Sequence, residues 1–244
     1  ILGSRWKRRM KQIGFAKHIY AAADISRGSL QGSILIKEFL KRQIEVLSLD
    51  KKIVLASASP RRRELLQNMG LDFEIITSDG AEQVFENELP QDTVKRLSSE
   101  KALNVAKRAP YDDCIVIGAD TVVAIDGKIL GKPVDEGDAK RMLTLLSGRT
   151  HKVYTGVSVI ETTSGERVSD YVETEVKFVN LTERQIEKYV SSGEPMDKAG
   201  AYGIQDLGAM LVEKINGDYF NVVGLPVSRL AGILRERFGV DTVI

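Results

Sequence analysis

The sequence predicts an α/β protein from Lys52 onward. Short apolar runs of strand length alternate with stretches of helical spacing as far as Leu146. Two long runs of strand character follow, at 151–162 and 168–180, joined near Ser164-Gly165. Asp126-Gly127 and Asn216-Gly217 supply turn chemistry between strand-like segments.

The first strand is Ile53 to Ala56. It breaks into Ser57-Ala58-Ser59, and Pro60 then suits the first turn of a helix with Ser59 as its N-cap. Phe73 to Ile76 reads as a second strand, and Thr77 to Pro90 as an acidic loop carrying Asp79, Glu82, Glu86 and Glu88. Residues 91–108 have helical spacing, with Val94, Leu97, Ala102 and Val105 on the inward face. Ile115 to Ile117 is a buried strand ending in Gly118-Ala119-Asp120, and Val122 to Ile125 pairs with Lys128 to Leu130 in a hairpin. Glu136 to Leu146 is a helix closed by Ser147-Gly148, and Thr182 caps a helix running to Val190. Residues 193–208 form a Gly-rich loop, Met210 to Ile215 and Tyr219 to Val223 flank the Asn216-Gly217 turn, and 226–238 is a closing helix.

The 244 residues divide into a basic N-terminal extension, 1–50, and a domain, 51–244. The extension carries ten Lys/Arg against four Asp/Glu, with Arg5, Lys7, Arg8, Arg9, Lys11 and Lys17 preceding any acidic residue. An organellar transit peptide has this composition, and so would an accidental extension. Residues 34–49 have enough apolar positions for a helix. The domain is mildly acidic, which argues against a broad nucleic-acid surface. No apolar run approaches membrane-spanning length. The single cysteine, Cys114, excludes an intrachain disulfide and reads as a buried thiol, in keeping with a reducing compartment.

Candidate chemistry begins at Arg61, Arg62 and Arg63. Cations oppose the dipole at a helix N-terminus, so local stability does not explain them. A bound phosphate would, and Ser57 with the first-turn N–H groups would join in holding it. The alternative is a helix whose arginines face water. Asp120, beyond an apolar strand, is a candidate metal ligand or proton acceptor, or else a turn aspartate capping nearby N–H groups. Lys132, between Gly131 and Pro133, is a candidate phosphate ligand, and Lys101 lies mid-helix; for both, a solvated lysine is the default. Glu82 is an outer metal ligand or one more solvated charge. Gln205 can read a base edge, since its amide both donates and accepts. The loop around Asp197, Lys198, Tyr202 and Gln205 is either brought close to a ligand or a structural crossover. His151 reads as a hydrogen-bonding core residue, because His18 is the only other histidine and the two make no metal cluster. There is no Walker A sequence, GxGxxG, nucleophile elbow or CxxC.

Five ordered stretches closely resemble one family: LASASPRR, SEKA, GADTVV, GKP with SGRTHKVYTGV, and EPMDKAGAYGIQDLG with VVGLP. It is the Maf family of nucleoside triphosphate pyrophosphatases, and the resemblance runs from about residue 53 to the C-terminus. It implies a mixed, elongated sheet with flanking helices and two lobes around a central cleft, like the inosine triphosphate pyrophosphatases. It implies hydrolysis of a nucleoside triphosphate to the monophosphate and pyrophosphate with a divalent cation, Mg²⁺ or alternatively Mn²⁺ or Co²⁺. Carried over by position, the catalytic set is Asp120, Lys132, Lys101 and Glu82, with Asp120 and Glu82 as metal ligands. Substrate binding falls to Ser57, Arg61, Arg62, Thr121 and Gln205. SPRR, GADT and DKAGAYGIQ follow the branch acting on dTTP and UTP rather than the branch acting on 7-methyl-GTP. Asp206 and Ala209 depart from that branch's usual GLGG. The resemblance further implies a cytoplasmic homodimer that removes non-standard pyrimidine nucleotides, with no membrane partner and no stable nucleic-acid partner. A regulatory nucleotide-binding protein acting on septum formation is the alternative.

Overall fold

The computed structural model describes residues 51–80, 83–85 and 87–242. The extension, its expected helix at 34–49, and Glu82 lie outside the described residues. A seven-stranded mixed sheet forms the centre, in the order β2-β1-β3-β5-β6-β7, with β4 also beside β3. The strands are β1 (Lys52–Leu55), β2 (Phe73–Ile75), β3 (Cys114–Ile125), β4 (Lys128–Leu130), β5 (Thr150–Glu161), β6 (Arg167–Phe178) and β7 (Val212–Asn216). β1 runs parallel to β2 and β3, and every other pair is antiparallel. The helices are α1 (Pro60–Asn68), α2 (Pro90–Ala106), α3 (Glu136–Leu146), α4 (Glu183–Val190), α5 (Tyr219–Val223) and α6 (Val227–Phe238). None is long and apolar enough to cross a membrane among the described residues.

Local chemistry accounts for the element ends. Ser59 caps α1 by accepting from the Arg62 N–H, with Pro60 in the first turn. Asp135 caps α3, and Thr182 with Gln185 forms a reciprocal capping box on α4. Asp126 and Gly127 both take positive φ, which two-residue hairpins require. Two sequence expectations change. β3 is continuous through Gly118-Ala119-Asp120, because β5 pairs with it along its length, so Asp120 is mid-strand rather than at a strand end. Tyr219 to Val223 is a helix, because the Asp218 side chain caps the Phe220 N–H immediately after the Gly217 turn.

The long strands divide the core. On one face, Ile115, Ile117, Ala119, Val157 and Val159 pack with Leu65 and Leu66 of α1 and with Leu230, Ile233 and Leu234 of α6. Further along the same face, Val123, Ile125 and Val153 pack with α3 and α4. Thr121 and Thr155 are cross-strand partners between these two clusters. On the opposite face Asp120 lies between Val116 and Val122, each in its own cluster. The four inward residues expected of α2 (Val94, Leu97, Ala102 and Val105) are all buried, as is Cys114.

α2 lies unusually close to this second face. A Cβ on Gly118 would overlap the Ser98 carbonyl oxygen, and one on Gly156 would overlap that of Val94. The approach brings the Ser98 hydroxyl to 2.8 Å from that of Ser158.

His151 is buried, and its Nε2 lies 2.8 Å from the Tyr202 hydroxyl, joining β5 to the 193–208 segment. Phe178 makes edge contacts with both rings. Burial pushes the imidazole down from 6.5 to about 4 and pushes the Tyr202 phenol up.

Two predictions follow from this packing. Gly156→Ala should cost about 1–3 kcal/mol through overpacking, lowering Tm by about 2–4 °C per kcal/mol; unchanged melting would overturn the close-approach account. For His151, the unfolded chain takes up a proton below pH 6.5 that the buried ring refuses until about pH 4. Stability is therefore lost as pH falls through that window, at about 1.4 kcal/mol per pH unit. Urea unfolding of wild type against His151→Phe should show the difference shrinking by about 2 kcal/mol between pH 7 and pH 5, and a constant difference would refute a neutral buried imidazole.

Candidate active site

Along one edge of β3 there is a gap. β1 pairs with Cys114 to Ile117, and β4 pairs with Val123 to Ile125. Neither strand reaches Asp120 or Thr121. Successive strand residues point to opposite faces, yet at an open edge both can border one space. That space is a cleft of about 570 Å³, lined by the eight described residues that the resemblance names, Ser57, Arg61, Arg62, Lys101, Asp120, Thr121, Lys132 and Gln205, whereas Arg63 is exposed and does not line it.

Asp120 is only 5% exposed and pairs with the Lys101 ammonium. Its cross-strand neighbour is Gly156. The missing side chain there admits α2, which delivers Lys101 to the carboxylate. Lys101 is therefore not the solvated lysine that its mid-helix position suggests; its side chain is 13% exposed.

The loop after β1 supplies the next group. The Ser57 hydroxyl accepts from the Ser59 N–H at 3.2 Å and from Arg62 Nη1 at 3.5 Å. Arg62 also donates from Nε to the Gly224 carbonyl at 2.8 Å and from Nη2 to the Thr121 hydroxyl at 3.0 Å. Arg61, one residue earlier, faces the other way. Its Nη1 lies 3.7 Å from Asp197, which also pairs with Lys198 at 2.7 Å. Burial works against ionisation of Asp197, but the Lys198 bond and the charges of Lys198 and Arg61 hold its carboxyl below the usual value.

Three short 3₁₀ turns occupy residues 194–211. The Glu194 carboxylate accepts from Tyr189 and from the N–H groups of Leu207 and Gly208, closing the segment on itself. Gly200 donates to the Gly131 carbonyl at 2.9 Å, and a Cβ there would strike Val123. One on Gly208 would overlap the Gly203 carbonyl. These glycines thus serve close internal packing, which presents half-buried Gln205 to the cleft. Asp206 follows at φ 53°, a conformation that aspartate tolerates better than most residues. Exposed Lys132 has no carboxylate partner among the described residues, and Gly131 before it leaves open space.

On the far side, Arg96 donates to the Gln83 carbonyl and the Glu88 carboxylate and stacks on Phe85 at 4.3 Å. This clasp holds the segment carrying Val84, which lines the cleft. Asp197, Lys198 and Tyr202, singled out in the sequence together with Gln205, also line the cleft; sequence reasoning missed Thr155, Asn221 and Gly224 behind Arg62.

Among the described residues no cluster of three His, Cys, Asp or Glu side chains could hold a metal. Asp120 supplies one hard carboxylate in the cleft. That suits a Mg²⁺-class ion, which takes one or two carboxylates and draws its other ligands from phosphate and water, and does not suit a closed zinc site.

The family model described as "Maf-like protein" matches residues 52–237. The chain is 51% identical to the dTTP/UTP pyrophosphatase of Clostridioides difficile (strain 630) over 189 residues, covering 78% of this chain and 96% of that protein. It is 53% identical to the dTTP/UTP pyrophosphatase of Thermoanaerobacter sp. (strain X514) over 189 residues, 78% and 98% of the two chains. To that of Bacillus thuringiensis subsp. konkukian (strain 97-27) it is 51% identical over 191 residues, 78% and 97%. A mixed sheet with a basic cleft around the buried Asp120 carboxylate, matched along nearly the whole domain, leaves a single assignment: the chain belongs to the Maf-like protein family.

Proposed function

We propose that this chain is a nucleoside triphosphate pyrophosphatase that hydrolyses dTTP and UTP to the monophosphate and pyrophosphate. The observation that carries the reading is the convergence of Ser57, Arg61, Arg62, Lys101, Lys132 and Asp120 on one cleft that also holds Thr121 and Gln205. Hydrolysis of a phosphoanhydride calls for charge neutralisation and positioning more than for covalent chemistry. Arg61, Arg62 and Lys132 supply positive charge to the triphosphate tail. Lys101 holds the Asp120 carboxylate in place, and Asp120 accepts the proton of the water that breaks the bond between the α- and β-phosphates. A divalent ion held at Asp120 and by the substrate's phosphates would supply further charge neutralisation and a more acidic water.

Gln205 reads the base. It donates to O4 and accepts from N3–H, features shared by uracil and thymine and lacking in cytosine. An unpaired buried group costs about 1–3 kcal/mol. Mg²⁺ as the ion, a cytoplasmic homodimer and Glu82 as a second acidic ligand accompany this reading and rest on the family resemblance. Residues 51–244 form the catalytic domain, with 1–50 outside it.

Pyrophosphate release from dTTP, UTP, CTP and 7-methyl-GTP with Mg²⁺ tests the assignment. dTTP and UTP should lead, and Asp120→Asn should lose about 10²–10⁴ in rate while still binding nucleotide. A panel led by CTP or 7-methyl-GTP would refute the base reading, and full turnover by a folded Asp120→Asn protein would refute the proton acceptor. Deleting residues 1–50 should leave hydrolysis intact; a folded but inactive deletion protein would place part of the site in the extension.

A further inference from the structure

Behind the cleft runs a chain of hydrogen bonds whose polarity is fixed at every link. A carbonyl oxygen can only accept, and a hydroxyl has one hydrogen. Thr155 lies 2.8 Å from the Asn221 carbonyl, so its hydrogen goes there. The contact between the Thr155 and Thr121 hydroxyls, 3.0 Å, must then be donated by Thr121. That leaves the Thr121 oxygen as an acceptor toward Arg62 Nη2, also at 3.0 Å. The order is Arg62 to Thr121 to Thr155 to the Asn221 carbonyl.

Both ends are anchored. Asn221 is fully buried and donates from its side chain to the Val153 carbonyl at 3.1 Å and to the Thr174 hydroxyl at 2.9 Å. Arg62 is tied through Nε to Gly224, immediately beyond the helix that carries Asn221. Thr155 is fully buried and absent from the cleft lining, so no substrate touches it. A valine would fill the same space in β5 between the two apolar clusters, and the packing there does not call for a hydroxyl.

We propose that Thr155 is a positioning residue. It takes the hydrogen of Thr121, turns that oxygen toward Arg62, and so sets the plane in which the Arg62 guanidinium meets the substrate. The proposal rests on the reading of the chain as a triphosphate hydrolase that uses Arg62 on its substrate.

Thr155→Val tests it with little disturbance, since the Asn221 carbonyl keeps the Gly224 N–H at 3.1 Å. We expect kcat/KM for dTTP to fall about tenfold, the loss of one well-placed hydrogen bond. Thr155→Ser, which keeps the hydroxyl, should recover most of it. In an Arg62→Ala background Thr155→Val should cost nothing more, because the path it acts through is gone. Wild-type kcat/KM in Thr155→Val, or an equal loss in both backgrounds, overturns the proposal.

A readout without substrate uses ¹⁵N NMR of the Arg62 Nη2–H group that donates to Thr121. It should be protected from exchange in wild type and in Thr155→Ser, and exposed in Thr155→Val. Equal protection in all three overturns the proposal even if hydrolysis changes. Thr155→Ala serves in both measurements should the valine protein not fold. If the wild-type protein releases no pyrophosphate from dTTP or UTP, the substrate reading fails, and the NMR comparison still decides the role of Thr155.

Discussion

The structure depends on one interruption in strand pairing. β3 is bonded to β5 along its length, but its other edge is shared by β1 and β4, which stop short of each other. Main-chain polar groups at such a gap are open to solvent or ligand. The gap also lets two adjacent residues, Asp120 and Thr121, border one cavity although they point to opposite faces of the sheet. A continuous partner strand would have sealed that edge and separated the two side chains.

Each face then contributes a different kind of group. On the face of Asp120, a glycine across the strand admits α2 and brings a lysine to the carboxylate. On the face of Thr121, two apolar clusters leave a polar seam filled by hydroxyls and the Asn221 carboxamide. A buried polar seam is costly unless its members are bonded to one another. Here the chain of donors begins at an arginine in the cleft and ends on the Asn221 main-chain carbonyl.

Arg61 and Arg62 show how little adjacency says about role. Arg62 is bonded to a carbonyl and two hydroxyls, which fix the geometry of its guanidinium. Arg61 faces the exposed carboxylate of Asp197, which it shares with Lys198. Surface pairs of this kind are weak and exchangeable, so Arg61 can turn to an arriving anion at small cost. The cleft therefore presents one pre-set cation and one movable cation to the same tail.

The sequence by itself determined the α/β class, the strands and helices through Val190, the caps at Ser59 and Thr182, the buried face of α2 and the family. Those features are written in local periodicity, turn chemistry and contiguous motifs, which need no partner from elsewhere in the chain. It also named eight of the residues that line the cleft; motif resemblance was needed for Lys101 and Lys132, which spacing alone left as ordinary surface lysines. Only the tertiary structure decided that Asp120 is mid-strand, since strand continuity there comes from pairing with β5, some 35 residues away. It alone decided that Tyr219 to Val223 is a helix capped by Asp218, that the glycines of 193–208 pack against the protein itself, and that Thr155 stands behind Arg62. Threonine in a strand is the commonest of choices; what gives this one a role is a carbonyl 66 residues further along the chain, and hydrogen bonds at that separation leave no trace in local sequence.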